Sequence, residues 1–173
     1  MKIESTEFTP DVFDSFIEQY LTHEREHVKG RLLKVVEEVE SMLPAIESRS
    51  AAAEEKWSAN ETLAHMAVST QFFGWLVHQV AKQEEIQGDI VEMLRMRDVA
   101  GSDASQKPSA ELAKQLRDSI ERTISFAGSV SVDELRNSIK YLSRDMTAED
   151  ILRIPLCGHL EEHVEQLREA VAD

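Results

Sequence analysis

Two histidines stand four residues apart in the stretch LCGHLEEHVEQL, which covers residues 156–167. On a helix the side chains of His159 and His163 would lie about 40° apart on one face, where both rings could bind one metal ion. Apolar residues share that face: Leu152, Leu156, Leu160, Leu167 and Ala170. Burying two imidazoles side by side costs free energy unless each ring has a partner, which either a shared metal ion or hydrogen bonds would supply.

His65 is the candidate for a third ligand, and it lies in the segment KWSANETLAHMAVS, residues 56–69. Its face of the predicted helix also carries Phe73 and Leu76, so the ring is expected at the core. His78 falls on the opposite side of the same helix and is expected in solvent. The sequence therefore offers imidazoles from two helices for one interior site.

A rival pair with the same spacing, His23 and His27, points away from the apolar stripe of the first predicted helix. Charged side chains surround this pair, which favours a solvated face over a metal site. Glu24 and His27 also form a Glu-x-x-His motif. A di-iron carboxylate bundle needs two such motifs, and the sequence has no second copy, so that class of site is excluded.

The spacing of apolar residues predicts four long helices that would position these side chains. They run from about Asp11 to Ile46, from the capping box at Ser58 to about Lys82, from Ser109 to Gly128, and from Thr147 to about Val171. The fold class is therefore expected to be all-α, a four-helix bundle in a single domain that spans residues 1–173, with its core at about 11–171.

The connections between these helices differ in length. A polar stretch at 47–56 follows the first helix, and 83–108 form a long connection between the second and third. A bundle does not need so long a turn, so its segment DIVEMLRMR is interpreted as a short helix that either covers a site or packs against a partner. The segment 131–146 is interpreted as a short helical connector. Pro155, one turn before His159, predicts either a kink or the start of the regular helix.

The charge balance argues against some classes of partner. The chain carries 33 acidic and 19 basic residues, a net charge of −14, which would repel phosphate backbones and anionic membranes. No run of apolar residues is long enough for a membrane span, and the N-terminal residues do not resemble a signal peptide. With a single cysteine, Cys157, the expected location is the cytoplasm, without nucleic-acid or membrane partners.

The segment KWSANETLAHMAVS, followed about ninety residues later by GHLEEHVEQLREA, resembles the DinB-like superfamily. This superfamily of helical bundles includes thiol-dependent S-transferases and the mycothiol-dependent maleylpyruvate isomerase type. The resemblance covers most of the chain, is strongest at Trp57–His65 and His159–Leu167, and is weak at 83–108.

The resemblance implies that His65, His159 and His163 bind one divalent metal ion. Three imidazoles without a thiolate suit zinc, nickel or iron, and leave a coordination position open. The implied function is activation of a small thiol such as mycothiol or bacillithiol for S-transfer to an electrophile, or for thiol-assisted isomerisation, in a protein that could form a homodimer. The alternatives are a non-catalytic metal-binding bundle with a stress-related role and a metal-free interaction module.

Further residues near the predicted ligands have two interpretations each. Glu61, one turn before His65, and Gln166, which follows His163, are candidates for orienting the ligand rings, although both are also typical of solvated helix positions. Cys157 lies roughly 160° around the helix from His159, so a buried, unreactive thiol is a better interpretation than a nucleophile. The sequence does not identify a catalytic residue.

Overall fold

A computed structural model describes residues 9–48 and 57–172 of the chain, and these residues are mainly helical. The helices are α1 (Pro10–Ser48), α2 (Ala59–Ala81), α3 (Ile90–Ala104), α4 (Ser109–Ser129) and α5 (Val132–Arg136). An antiparallel hairpin follows, formed by β1 (Ser138–Tyr141) and β2 (Arg144–Thr147). The last described residues form one helical stretch made of α6 (Ala148–Ile151), a π-helical segment (Leu152–Gly158) and α7 (His159–Ala172).

Local capping signals determine where several of these helices begin. The Ser58 hydroxyl accepts a hydrogen bond from the backbone N–H of Glu61 at 3.2 Å, and the Glu61 carboxylate accepts one from the backbone N–H of Ser58 at 2.7 Å. Thr147 and Asp150 form the same reciprocal pair at the start of α6. Each pair satisfies backbone donors that have no partner inside the helix, so the predicted starts at Ser58 and Thr147 are confirmed.

Helix α2 is the central element, because side chains around most of its circumference are buried. It packs along α4 and α7, and α3 covers a further part of its surface. Helix α1 also packs against α4 and α7 but meets α2 at only a few residues. Helices α1, α2, α4 and α7 supply the larger part of the fully buried core, which includes Leu32, Ile46, Leu63, Met66, Leu76, Leu112, Leu116, Ile120 and Leu160.

The all-α expectation is confirmed for most of the described chain, but the helical connector predicted at 131–146 is wrong beyond Arg136. Strand β1 pairs with β2 in the register Ser138 to Thr147, and Leu142 in the turn between them has a positive φ of 54°. In β1 the side chains of Ile139 and Tyr141 are half-buried, while their neighbours in the sequence are exposed. This alternation with a period of two is that of a strand.

Two other connections differ from their sequence-based descriptions. Helix α3, with 15 residues, makes up much of the connection predicted at 83–108, and it is longer than the short helix expected there. Helix α1 continues past Pro44 to Ser48. Most of the polar connection predicted at 47–56 lies outside the described residues, as does the N-terminal stretch before residue 9.

The helical stretch that carries the last two histidines changes its geometry at Pro155. Proline lacks a backbone N–H and clashes with the carbonyl four residues earlier in an α-helix, and the wider π-helical turns at Leu152–Gly158 accommodate it. Regular α-helix begins at His159. Within the described part of the chain, no helix has both the length and the apolar character that a bilayer crossing requires.

Candidate metal centre

Three imidazoles converge between α2 and α7. The Nε2 atom of His159 lies 3.0 Å from the Nε2 atom of His65 and 3.0 Å from that of His163. The candidate ligand atoms of the three residues all lie within 4.8 Å of one another. The residues that the sequence singled out as ligands are thus brought together, close enough to hold one metal ion.

The two helices position these rings in different ways. His65 lies on the buried side of α2, and residues on both sides of it are also buried. His159 is the first residue of α7, directly after the π-helical segment, and His163 follows one turn later on nearly the same face. The i, i+4 spacing on regular α-helix therefore applies to this pair, and the packing of α7 on α2 brings the pair to His65.

Burial keeps all three rings neutral at physiological pH. His65 and His163 are each only 6% exposed, and His159 is half-buried. Loss of hydration lowers the pKa of His65 to about 4, and the neighbouring charges of His163 and Arg97 act in the same direction. Burial likewise lowers the pKa of His159 to about 4 and lowers the pKa of His163. Neutral imidazole is the form that binds metal ions.

Gln166 fixes which nitrogen of His163 carries the proton. The side-chain oxygen Oε1 of Gln166 lies 2.8 Å from Nδ1 of His163, and because this oxygen can only accept, Nδ1 donates. The other ring nitrogen, Nε2, then has its lone pair directed toward the cluster. Such a hydrogen bond to the distal nitrogen is the usual way in which a protein orients a ligating histidine.

The spacing of the nitrogen atoms fits a single ion. Zinc binds imidazole nitrogen at about 2.0–2.1 Å, so neighbouring ligands of a tetrahedral ion lie about 3.3 Å apart. The two observed Nε2 separations of 3.0 Å differ from this value by a few tenths of an ångström.

Residues that the sequence did not single out surround the three rings. The ring centroid of Trp57 lies 4.8 Å from that of His65, and the Phe73 ring centroid lies 6.1 Å from that of His159. The guanidinium of Arg97 lies 5.5 Å over the Phe73 ring, and its side chain is only 12% exposed. Aromatic rings and the Arg97–Asp98 ion pair therefore border the centre.

Helix α3 covers the His65 side of the centre. Asp98 Oδ1 lies 4.0 Å from Nδ1 of His65, and Gly101 packs directly on the backbone and ring of that histidine. The buried residues of α3 are Gly101 and Ala104, which are too small to produce an apolar stripe in the sequence. The interpretation of this segment as a cover over a site agrees with its position.

The remaining sequence candidates lie elsewhere. The Glu61 carboxylate forms the cap at Ser58, so its hydrogen bond is made to the helix start. His23 and His27 are exposed on α1, and His78 is partly exposed and lies beside Phe126. Cys157 is buried, as predicted, and burial raises the pKa of its thiol to about 11, so it stays protonated.

Comparisons with protein-family models, with curated proteins and with solved structures found no match for this chain. The resemblance to the DinB-like superfamily therefore stays a prediction that rests on the two motifs around His65 and His159. The geometry of the centre stands independently of that resemblance, since it follows from the positions of the three rings.

Proposed function

We propose that His65, His159 and His163 hold one divalent metal ion, in a centre that binds a small thiol. The observation that carries the proposal is the convergence of three neutral imidazoles from two helices on one partly buried point. Three protein ligands leave a coordination position open for a further ligand, whereas structural zinc sites use four protein ligands. This imidazole set suits zinc, nickel or iron.

The reaction that we propose is S-transfer from the thiol to an electrophile, or thiol-assisted isomerisation, as the resemblance to the DinB-like superfamily implies. When bound, a divalent ion lowers the pKa of a coordinated thiol and so provides the nucleophilic thiolate at neutral pH. Mycothiol and bacillithiol represent the proposed class of thiol. Cys157 is not proposed as the nucleophile, because its thiol is buried and protonated.

The protein's own side chains would prepare this centre for an anionic ligand. Arg97 contributes a nearly buried positive charge, and its hydrogen bonds go to the adjacent carboxylate of Asp98. This charge also contributes to the lowered pKa values of the three histidines. The buried ring of Phe73 limits access of water to His159, which strengthens electrostatic attraction at this point.

We also propose that α1, α2, α4 and the helical stretch 148–172 form a four-helix bundle of the DinB-like type. The support is the pattern of neighbours: α1 and α2 each pack along α4 and α7, so the four helices surround a common core. Helix α3 is then an insertion between the second and third bundle helices. Its place against His65 links this insertion to the proposed centre.

The test is conversion of an electrophile by zinc-loaded protein in the presence of a thiol. We expect the wild-type chain, incubated with a low-molecular-weight thiol and an electrophile, to accelerate loss of the electrophile, with consumption of free thiol if the reaction is S-transfer and without it if the reaction is isomerisation. The His159→Ala variant should show no acceleration above the background, and His23→Ala, which changes an exposed histidine on α1, should match the wild type. If zinc-loaded wild type accelerates none of the thiol and electrophile pairs, the non-catalytic metal-binding bundle replaces the enzyme proposal.

A further inference from the structure

A buried hydroxyl, that of Ser69, lies beside the candidate ligand atoms. Ser69 is 0% exposed, and it follows His65 by one turn of α2. Its Oγ lies 3.2 Å from Nε2 of His65, the nitrogen that is also 3.0 Å from Nε2 of His159. The hydroxyl oxygen therefore lies within hydrogen-bond distance of the His65 nitrogen that faces His159.

The direction of this hydroxyl is not the default for a helix. Serine and threonine inside helices commonly donate to the carbonyl four residues earlier, which satisfies the hydroxyl locally. The adjacent Thr70 does this, with its Oγ1 2.7 Å from the Met66 carbonyl oxygen, and Thr123 does the same with Ser119 at 2.8 Å. Among the described residues, Ser69 instead has the imidazole nitrogen of His65 as its hydrogen-bond partner.

Metal binding would remove that partner. The lone pair of Nε2 that can accept from Ser69 is the one that an ion would use, so the buried hydroxyl would need another acceptor. That acceptor is either the His65 carbonyl oxygen, one turn earlier on the helix, or an atom of a ligand bound to the ion. A buried donor without an acceptor is destabilising, and structures satisfy nearly all such groups. A serine hydroxyl is not among the usual ligands of zinc, which are Cys, His, Asp and Glu. An acceptor atom of a ligand in the open coordination position of the ion would satisfy the Ser69 hydroxyl.

We propose that Ser69 is a ligand-binding residue of this centre, which donates a hydrogen bond to the sulfur or oxygen atom of a small anion bound beside the three histidines. This inference rests on the proposed metal function. It adds a selection rule: the bound atom must keep a free lone pair after it binds the ion. A thiolate has such lone pairs, so the hydroxyl favours the class of ligand proposed above.

The test uses cobalt(II) as the metal and 2-mercaptoethanol as the ligand. Cobalt(II) reports its coordination through its visible absorption, and thiolate binding adds a charge-transfer band that gives a dissociation constant. Ser69→Ala removes one oxygen atom and improves helix propensity, so folding should be retained. Thr70→Val is the matched control, because it removes a buried hydroxyl that bonds only to the helix backbone.

For Ser69→Ala we expect an unchanged visible spectrum of the cobalt protein without thiol and binding of 2-mercaptoethanol weakened about tenfold. Thr70→Val should bind the thiol like the wild type. Equal thiol affinity in Ser69→Ala and wild type would overturn the role of Ser69 while leaving the metal centre intact. An altered spectrum without thiol would overturn it too, since the hydroxyl would then be a ligand of the ion. Failure of the wild type to take up cobalt would overturn the metal centre itself.

Discussion

At the scale of single residues, the centre depends on the protonation state of three rings. Burial lowers their pKa values, so each ring is neutral and has one nitrogen available as a ligand. Gln166 then selects the nitrogen for His163. The identity of a residue beside a ligand matters as much as that of the ligand, because it decides which atom of the ring points inward.

We predict that Gln166→Ala weakens metal binding about tenfold, the lower end of the usual range for residues that orient a ligating histidine. The variant removes the acceptor for Nδ1–H of His163, so the ring is oriented less firmly. The loss is limited because Gln166 is exposed, and water can accept the hydrogen bond in its place. Competition with a chelator of known zinc affinity measures the effect. Gln115→Ala, which removes an amide bonded to Glu111 on α4, is the control and should bind zinc like the wild type. Equal affinities in both variants would show that Gln166 does not orient His163.

At the scale of elements, the accuracy of the sequence-based predictions followed the strength of the local signal. The starts at Ser58 and Thr147 were predictable because a capping box needs only two residues three apart. The burial of His65 and His163 was predictable because the apolar residues around them repeat with the period of a helix. Exposure of His23 and His27 followed from the same periodicity, which separated two pairs of identical spacing.

The hairpin, which was missed, and helix α3, which was predicted too short, have weak or competing signals. The hairpin at Ser138–Thr147 consists of two four-residue strands, too short for a strong alternation pattern. Helix α3 contacts the centre through Gly101, which leaves no apolar signature. Arg97 and Asp98 lie on that helix, so their place beside the rings depends on tertiary packing that no sequence period records.

The packing of α2 on α4 is tested at Gly74. A Cβ atom at this position would clash with Oγ1 of the buried Thr123, which is itself bonded to the Ser119 carbonyl. Gly74→Ala should therefore lower the free energy of unfolding by about 1 to 3 kcal/mol. A Cβ atom added at Gly30 on α1 would have no neighbour within 4 Å, so Gly30→Ala should raise the free energy of unfolding by about 0.5 to 1 kcal/mol. Urea unfolding measures both variants. A Gly74→Ala variant as stable as the wild type would contradict this contact between α2 and α4.

At the scale of the whole molecule, the three rings connect elements that are distant in the sequence. His65 and His159 are 94 residues apart, so an ion held by both would join α2 to α7 and add its binding free energy to the stability of the fold. The homodimer and the cytoplasmic location stay predictions.

The stability of the metal-free protein should depend on pH in a defined direction. In the unfolded chain these histidines bind a proton near pH 6.5, whereas folded His65 and His159 do so only at about 4. The unfolded state thus binds more protons between these values, so stability is highest above about pH 6.5 and falls as the pH drops toward about 4. Urea unfolding in the presence of a chelator should show this fall. The loss of stability on acidification should be smaller in His159→Leu than in the wild type. An equal loss in the two proteins would show that other groups cause it.

The central claim is that His65, His159 and His163 bind one metal ion together, and metal content tests it most directly. The measurement is mass-spectrometric determination of zinc, nickel and iron in the protein as purified and again after zinc loading and gel filtration. It is made on the wild type, on His159→Ala and on His23→Ala. We predict close to one ion per chain for the wild type and His23→Ala and almost none for His159→Ala. A zinc-loaded wild type without bound metal, or a His159→Ala variant that retains one ion per chain, would contradict the claim.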